Sequence, residues 1–166
     1  MNFAITIILF LLTFFNIRAQ KILPEYIDKP TYCNEKESIL IELEKSPYNT
    51  MAKANGILKT EGGFFLNGVK SSVKIAKKEQ LKFMLKVTPG KYPTSVLDLV
   101  KFEVRRDQRV FITSKAKILI TAEYFDKIKY TVKKIKDGYY YLIVKGLDTG
   151  EYFFGSGDFM FAFSVE

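Results

Sequence analysis

Apolar and polar side chains alternate along much of this chain, with the period of two residues that is typical of β-strands. In the clearest runs, a large apolar residue occupies every second position: Leu81–Val87, Val100–Arg105, Lys127–Lys133 and Phe159–Val165. The period of about 3.6 residues that marks helices is weak. It is confined to Pro93–Lys101 and Lys115–Phe125, where Thr94 or Ser95 could cap one helical turn. The pattern therefore predicts an all-β protein.

Turn-forming residues separate the predicted strands at short intervals. Lys136-Asp137-Gly138 predicts a hairpin, because Asp-Gly accepts the positive φ values of tight β-turns. Three further turns are predicted at 106–108, 148–150 and 155–158. The chain carries no repeat and no linker, so we expect a single domain. Its fold class should be a β-sandwich or a partly open barrel of about eight to ten short antiparallel strands.

The N-terminus differs in character from the rest of the chain. Phe3–Phe15 is almost entirely apolar and is followed by Ala19, which is the pattern of a signal peptide cut after that residue. Residues 1–19 are therefore predicted to be a signal peptide, or alternatively a retained anchor. An irregular segment, 20–36, should connect it to a β-rich domain, 37–166. The predicted location is outside the cytoplasm: periplasmic, envelope-associated or extracellular.

The composition excludes several kinds of catalytic mechanism. The chain has no histidine and a single cysteine, Cys33, so neither a Cys–His nucleophile nor an internal disulfide can form. It also lacks the motifs of a phosphate-binding loop or a calcium loop, and we expect no metal site and no cofactor. A hydrolase that uses only carboxylates, such as a glycoside hydrolase, remains the enzymatic alternative. We do not expect an enzyme, because no two carboxylates stand out by their spacing.

A positive net charge of +8 is concentrated around two predicted turns. The residues proposed to bind anions are Arg105, Arg106, Arg109, Lys127, Lys129 and Lys133. The three lysines share one face if the strand is regular, and such a basic strip could hold the acidic groups of a glycan or of a lipid surface. Alternatively, the lysines are a solvated sheet face that prevents edge-to-edge aggregation.

Three consecutive tyrosines are the candidate aromatic contacts. Tyr139, Tyr140 and Tyr141 must place side chains on both faces of one strand, so either Tyr140 or the other two point away from the core. An outward ring could stack on a sugar or anchor a protein partner. Alternatively, the rings only form cross-strand pairs. No nucleic-acid motif is present, and we expect no nucleic-acid partner.

A set of short motifs resembles a family of small secreted bacterial β-rich proteins of uncharacterised function. The matching segments are Gly62–Phe65, Gly68–Val73, Lys101–Phe111, Thr149–Phe154 and Phe159–Glu166. Together they span about residues 56–166, and Thr149 stands where proline is usual. The resemblance implies an exported, sandwich-like β-domain. It implies no activity and transfers no catalytic or binding residue.

These observations favour a non-enzymatic binding or envelope-structural module with an unknown ligand. The alternatives are a binder of anionic glycan or lipid through the basic strip, and the carboxylate-dependent hydrolase. The partner could be an envelope protein or an anionic glycan or lipid.

Overall fold

The structure is a computed structural model that describes residues 22–54, 59–117, 120–123 and 126–166. Among these described residues, strands make up 60% and helix 3%, in several antiparallel sheets that pack together. Within the described residues, the sheets do not close into a barrel. The predicted all-β fold is therefore confirmed, and it is of the sandwich type. The predicted signal segment, 1–19, lies outside the described residues.

The described residues form fifteen strands and one helical turn. In chain order, these are β1 (Thr31–Asn34), β2 (Ile39–Glu42), β3 (Glu44–Pro47), β4 (Asn49–Ala54), β5 (Lys59–Asn67), β6 (Lys74–Ile75), β7 (Gln80–Lys86), α1 (Pro93–Val96), β8 (Asp98–Lys101), β9 (Glu103–Arg105), β10 (Gln108–Lys117), β11 (Ile120–Glu123), β12 (Thr131–Lys136), β13 (Tyr139–Lys145), β14 (Gly150–Ser156) and β15 (Phe159–Val165). The helix begins at a proline, and the preceding Tyr92 provides no side-chain cap. Thus neither Thr94 nor Ser95 caps it.

The strands are arranged in three sheets. The first has the order β12-β13-β7-β1-β2, and the second has the order β11-β10-β5-β4, with β9 paired to β10. The third has the order β3-β15-β14-β8, and β6 adds to β15 in parallel. Nearly all pairings are antiparallel, and consecutive strands are often neighbours because short turns join them. The turns predicted at 106–108, 136–138 and 155–158 each join two paired antiparallel strands.

The third sheet is covered on both faces. Phe161, Phe163 and Val165 of β15 pack with the first sheet in one hydrophobic cluster. Met160 and Ala162, which point the other way, belong to a second cluster that includes residues of the second sheet. The alternation of large apolar residues therefore identifies only one of the two buried faces of β15. The small residues between the phenylalanines are buried on the other face.

Two segments differ from the predictions. Residues 31–34, within the segment expected to be irregular, form β1 between β7 and β2, where both neighbours hydrogen-bond it. The run Val100–Arg105 was predicted as one strand, but it divides at Phe102 into β8 of the third sheet and β9 of the second. Breaks of this kind explain why the strands outnumber the eight to ten expected. The segment near Lys115, where the sequence shows a weak helical pattern, instead forms the end of β10 and the strand β11.

Among the described residues, no helix is both long and apolar enough to cross a membrane.

Candidate functional site

The triple tyrosine lies on β13, next to the central strand of the first sheet. Leu142 and Val144 point into the core, and Tyr140 packs against that core from the same face. Tyr139 and Tyr141 therefore lie on the opposite, outer face, where both rings are half-buried. This decides between the two orientations that the sequence left open.

Lysine side chains surround the two outward rings. The Nζ atoms of Lys86 and Lys136 lie 5.7 Å and 4.8 Å from the centre of the Tyr139 ring. The Nζ atom of Lys82 lies 5.3 Å from the centre of the Tyr141 ring. These distances are within the range of cation–π interactions. In addition, Lys133 is paired in register with Tyr141. We name this surface the basic-aromatic face: Lys82, Lys86, Lys133, Lys136, Tyr139 and Tyr141.

The charges of the face are unevenly compensated. Lys82 forms an ion pair with Glu35, and that hydrogen bond raises the pKa of Lys82 above its usual range. Lys86 donates to the backbone carbonyl of Glu25 at 3.0 Å. At the β12–β13 hairpin, Lys133 and Lys136 are exposed, and neither takes part in a salt bridge with another described residue. The hairpin end of the face is therefore the most positive.

The other predicted lysines do not lie along one strand with Lys133. Regular β12 begins only at Thr131, and before it Ile128 forms an isolated bridge to Leu99 of the third sheet. Lys127 forms a 2.8 Å ion pair with Asp98 of that sheet, and Lys129 is exposed. The three-lysine strip is thus divided between two sheets.

The predicted arginines lie elsewhere, on the second sheet and its hairpin. Arg105 bonds to Glu61 at 2.8 Å and to Glu103 at 2.6 Å. Arg106 is exposed in the turn with φ of 53°. Arg109 corrects the prediction: its side chain is buried, and its guanidinium binds Glu44 inside the protein. It cannot reach a surface ligand.

A second feature is a cleft of about 840 Å³ between the second and third sheets, with residues of α1 also in its lining. We name it the aromatic cleft. Its aromatic lining comes from four different elements or turns: Tyr48, Phe64, Phe111 and Phe153. The rings of Tyr48 and Phe64 meet edge to face at 4.8 Å, and those of Phe111 and Phe153 at 5.2 Å. Such a volume suits a small molecule.

Charged groups lie at the cleft as well. Asp98, its partner Lys127 and Asp158 are part of the lining. Burial, followed by the negative charge of Asp98, raises the pKa of the Tyr48 hydroxyl. The sequence did not single out Tyr48 or Phe64, because neither lies in a run with a clear period.

Two other carboxylates have internal roles. Glu151 is buried and accepts hydrogen bonds from the Ser71 backbone N–H at 2.9 Å and from the Ser164 hydroxyl. Glu44 is held by Arg109 and by the Ser72 backbone N–H. In the described part of the chain, no group of three or more His, Cys, Asp or Glu side chains is placed to hold a metal ion.

Comparisons of this chain with protein-family models, with curated proteins and with solved structures find no match.

Proposed function

We propose that this protein is a non-enzymatic binding module that holds an acidic polysaccharide on the basic-aromatic face. The observation that carries the proposal is the placement of two outward tyrosine rings, Tyr139 and Tyr141, each with a lysine ammonium within cation–π distance, on one sheet face. Tyrosine rings can stack on sugar rings, and lysines can pair with the acid groups between them.

A glycan fits this face better than a lipid surface. Insertion into a bilayer requires apolar side chains that project outward, whereas Met84, in the middle of the face, is only 3% exposed. The tyrosine rings are half-buried, so they do not project from the sheet as a membrane-inserting wedge would. Glu35 neutralises the charge of Lys82, so the positive charge of the face lies mainly at the hairpin. There, Lys133 and Lys136 would contact the acid groups of the glycan.

The binding test uses polygalacturonate, with neutral dextran and anionic phospholipid vesicles as competing probes. We expect binding of polygalacturonate that weakens as salt is raised, because exposed charges are screened over about 8 Å at physiological ionic strength. Tyr141→Ala should lower the affinity about threefold to tenfold, the range typical of a lost aromatic contact. Lys133→Glu combined with Lys136→Glu should abolish the binding.

A control on another sheet is Lys53→Glu, which reverses the charge of one exposed lysine on β4 of the second sheet. It should leave the binding unchanged. Equal binding of dextran, a preference for vesicles, or equal effects of the face and control variants would contradict the proposal. The urea midpoint of each variant shows whether it is folded.

Export is part of the proposal and is supported by the apolar run Phe3–Phe15 with Ala19 after it. Cell fractionation and N-terminal sequencing of the protein from its native host test it. We expect the protein outside the cytoplasm with Gln20 as its first residue. A cytoplasmic protein that retains Met1 would contradict it.

A further inference from the structure

We infer that the aromatic cleft is a second binding site, separate from the basic-aromatic face, and that it takes a small organic amine: an ammonium group carried on an apolar body. The two surfaces have no residue in common, because the cleft lies between the second and third sheets and the face lies on the first. The inference therefore does not depend on the proposed function.

The floor and walls of the cleft select an apolar body. Its lining includes the buried rings of Phe111 and Phe153 and the half-buried rings of Tyr48 and Phe64. Gly155 leaves room for Tyr48, because a Cβ atom at that glycine would lie 2.6 Å from the Tyr48 hydroxyl. The aromatic faces that remain can receive either an apolar group or a cation.

The charges of the lining select a cation. Among the residues that line the cleft, Asp98 and Asp158 are acidic and Lys127 is basic. The cleft is thus locally negative, although the chain as a whole carries +8. The charge of Asp98 reaches into the site, since it contributes, after burial, to raising the pKa of Tyr48 and that of the neighbouring Tyr130.

The ammonium would bind Asp98 in place of Lys127. The side chains of Asp98 and Lys127 are 44% and 56% exposed, and ion pairs with this exposure are weak. A ligand ammonium held by the aromatic walls would be less exposed to solvent, so its pairing with Asp98 would be stronger. Asp158, in the exposed turn between β14 and β15, adds a second negative charge at the rim.

The test compares three probes of nearly equal shape: 2-phenylethylamine, 2-phenylethanol and phenylacetate. Binding is followed on the full chain by NMR chemical-shift changes at Tyr48 and Phe64. We expect the amine to bind about tenfold more tightly than the alcohol, as is usual when a charged hydrogen bond is gained. Phenylacetate should not bind measurably.

Three variants make the test specific. Asp98→Asn should remove the preference for the amine, and Lys127→Gln should strengthen its binding several-fold because Asp98 loses its competing partner. Asp158→Asn, in the exposed turn, should weaken it moderately without affecting folding. The matched control, Glu37→Gln, removes an exposed carboxylate from the β1–β2 turn and should have no effect.

Equal binding of the amine and the alcohol, tighter binding of phenylacetate, or amine binding that Asp98→Asn leaves unchanged would overturn the inference. Polygalacturonate binding, measured on the same samples, reports on the basic-aromatic face. Failure of amine binding at the cleft can therefore be distinguished from failure of polygalacturonate binding at the face.

Discussion

Arg109 donates two hydrogen bonds from its guanidinium to the carboxylate of Glu44, from Nη1 to Oε2 at 3.1 Å and from Nη2 to Oε1 at 2.7 Å. The pair connects β10 of the second sheet to the first residue of β3 in the third. Only 2% of the Arg109 side chain is exposed, and its remaining donors reach the backbone carbonyls of Gly68 and Asn67. An ion pair thus crosslinks two sheets in the interior.

Removing the acidic partner should therefore destabilise the protein. Glu44→Ala leaves the guanidinium of Arg109 buried without its anion, and we expect a loss of about 3 kcal/mol in the free energy of unfolding. Urea denaturation measures it. Asp137→Asn, which breaks an exposed pair with Lys134, is the control and should leave the urea midpoint unchanged. A double change, Glu44→Leu with Arg109→Met, should recover most of the loss; equal instability would contradict this account.

The same pair should make stability depend on pH. Burial alone would raise the pKa of Glu44, but hydrogen bonds from Arg109 and from the Ser71–Ser72 segment outweigh it and lower the pKa below 4.5. The folded state therefore binds fewer protons than the unfolded state below that pH. The contribution of Glu44 is fully present above pH 4.5 and is lost as the pH falls through the folded pKa.

Urea midpoints measured between neutral pH and pH 3 test this dependence, with Glu44→Gln as the reference. The difference in stability between the native protein and the variant should be constant near neutral pH and should shrink below pH 4.5. A difference that grows on acidification would show that the sign is wrong.

A glycine in the second sheet should tolerate no side chain. A Cβ atom at Gly63 would lie 2.1 Å from the backbone oxygen of Phe111, next to the bulge between Ile112 and Ser114. Gly63→Ala should cost about 3 kcal/mol of unfolding free energy, the upper range for overpacking. The neighbouring Gly62→Ala is the control, because its Cβ would meet only the Ser114 hydroxyl, which can rotate away. Similar urea midpoints for the two variants would refute the distinction.

The ring of Phe83 connects the first and third sheets. It is fully buried and contacts Phe154 and Phe163 at 5.0 Å and Tyr32 at 5.7 Å. Phe83→Ala should lower the free energy of unfolding by about 4 kcal/mol, as is usual for a buried phenylalanine. The half-exposed Val104 supplies a control, Val104→Ala, which should change stability little. Thermal or urea unfolding compares them, and a small effect of Phe83→Ala would mean that the interface repacks.

The sequence predicts the local features of the chain correctly. The Lys136-Asp137-Gly138 turn forms as predicted, with Gly138 at φ of 76°, because the turn depends only on residues next to one another. The core side of β7 also follows its alternation, with Leu81, Phe83 and Leu85 buried. On β13, the alternation required outward tyrosines but could not say which ones.

The candidate site was only partly foreseeable, because its members come from distant parts of the chain. Lys82 and Lys86 join Tyr139 and Tyr141 only through the pairing of β7 with β13. For the same reason, an arginine beside a predicted turn could be taken for a surface residue. Nothing near Arg109 in sequence reveals that Glu44, on another sheet, reaches it.

The sequence by itself determined that this chain forms short strands, where most of its turns fall, and which residues of a strand share a face. These properties follow from the pleat of a single strand and from the φ values that each turn residue accepts. Tertiary structure alone decided which strands pair, that Phe102 separates two sheets, and that Arg109 is internal while Lys133 stays exposed. Those outcomes depend on contacts between residues far apart in sequence, where burial and hydrogen-bond partners are shared among the sheets.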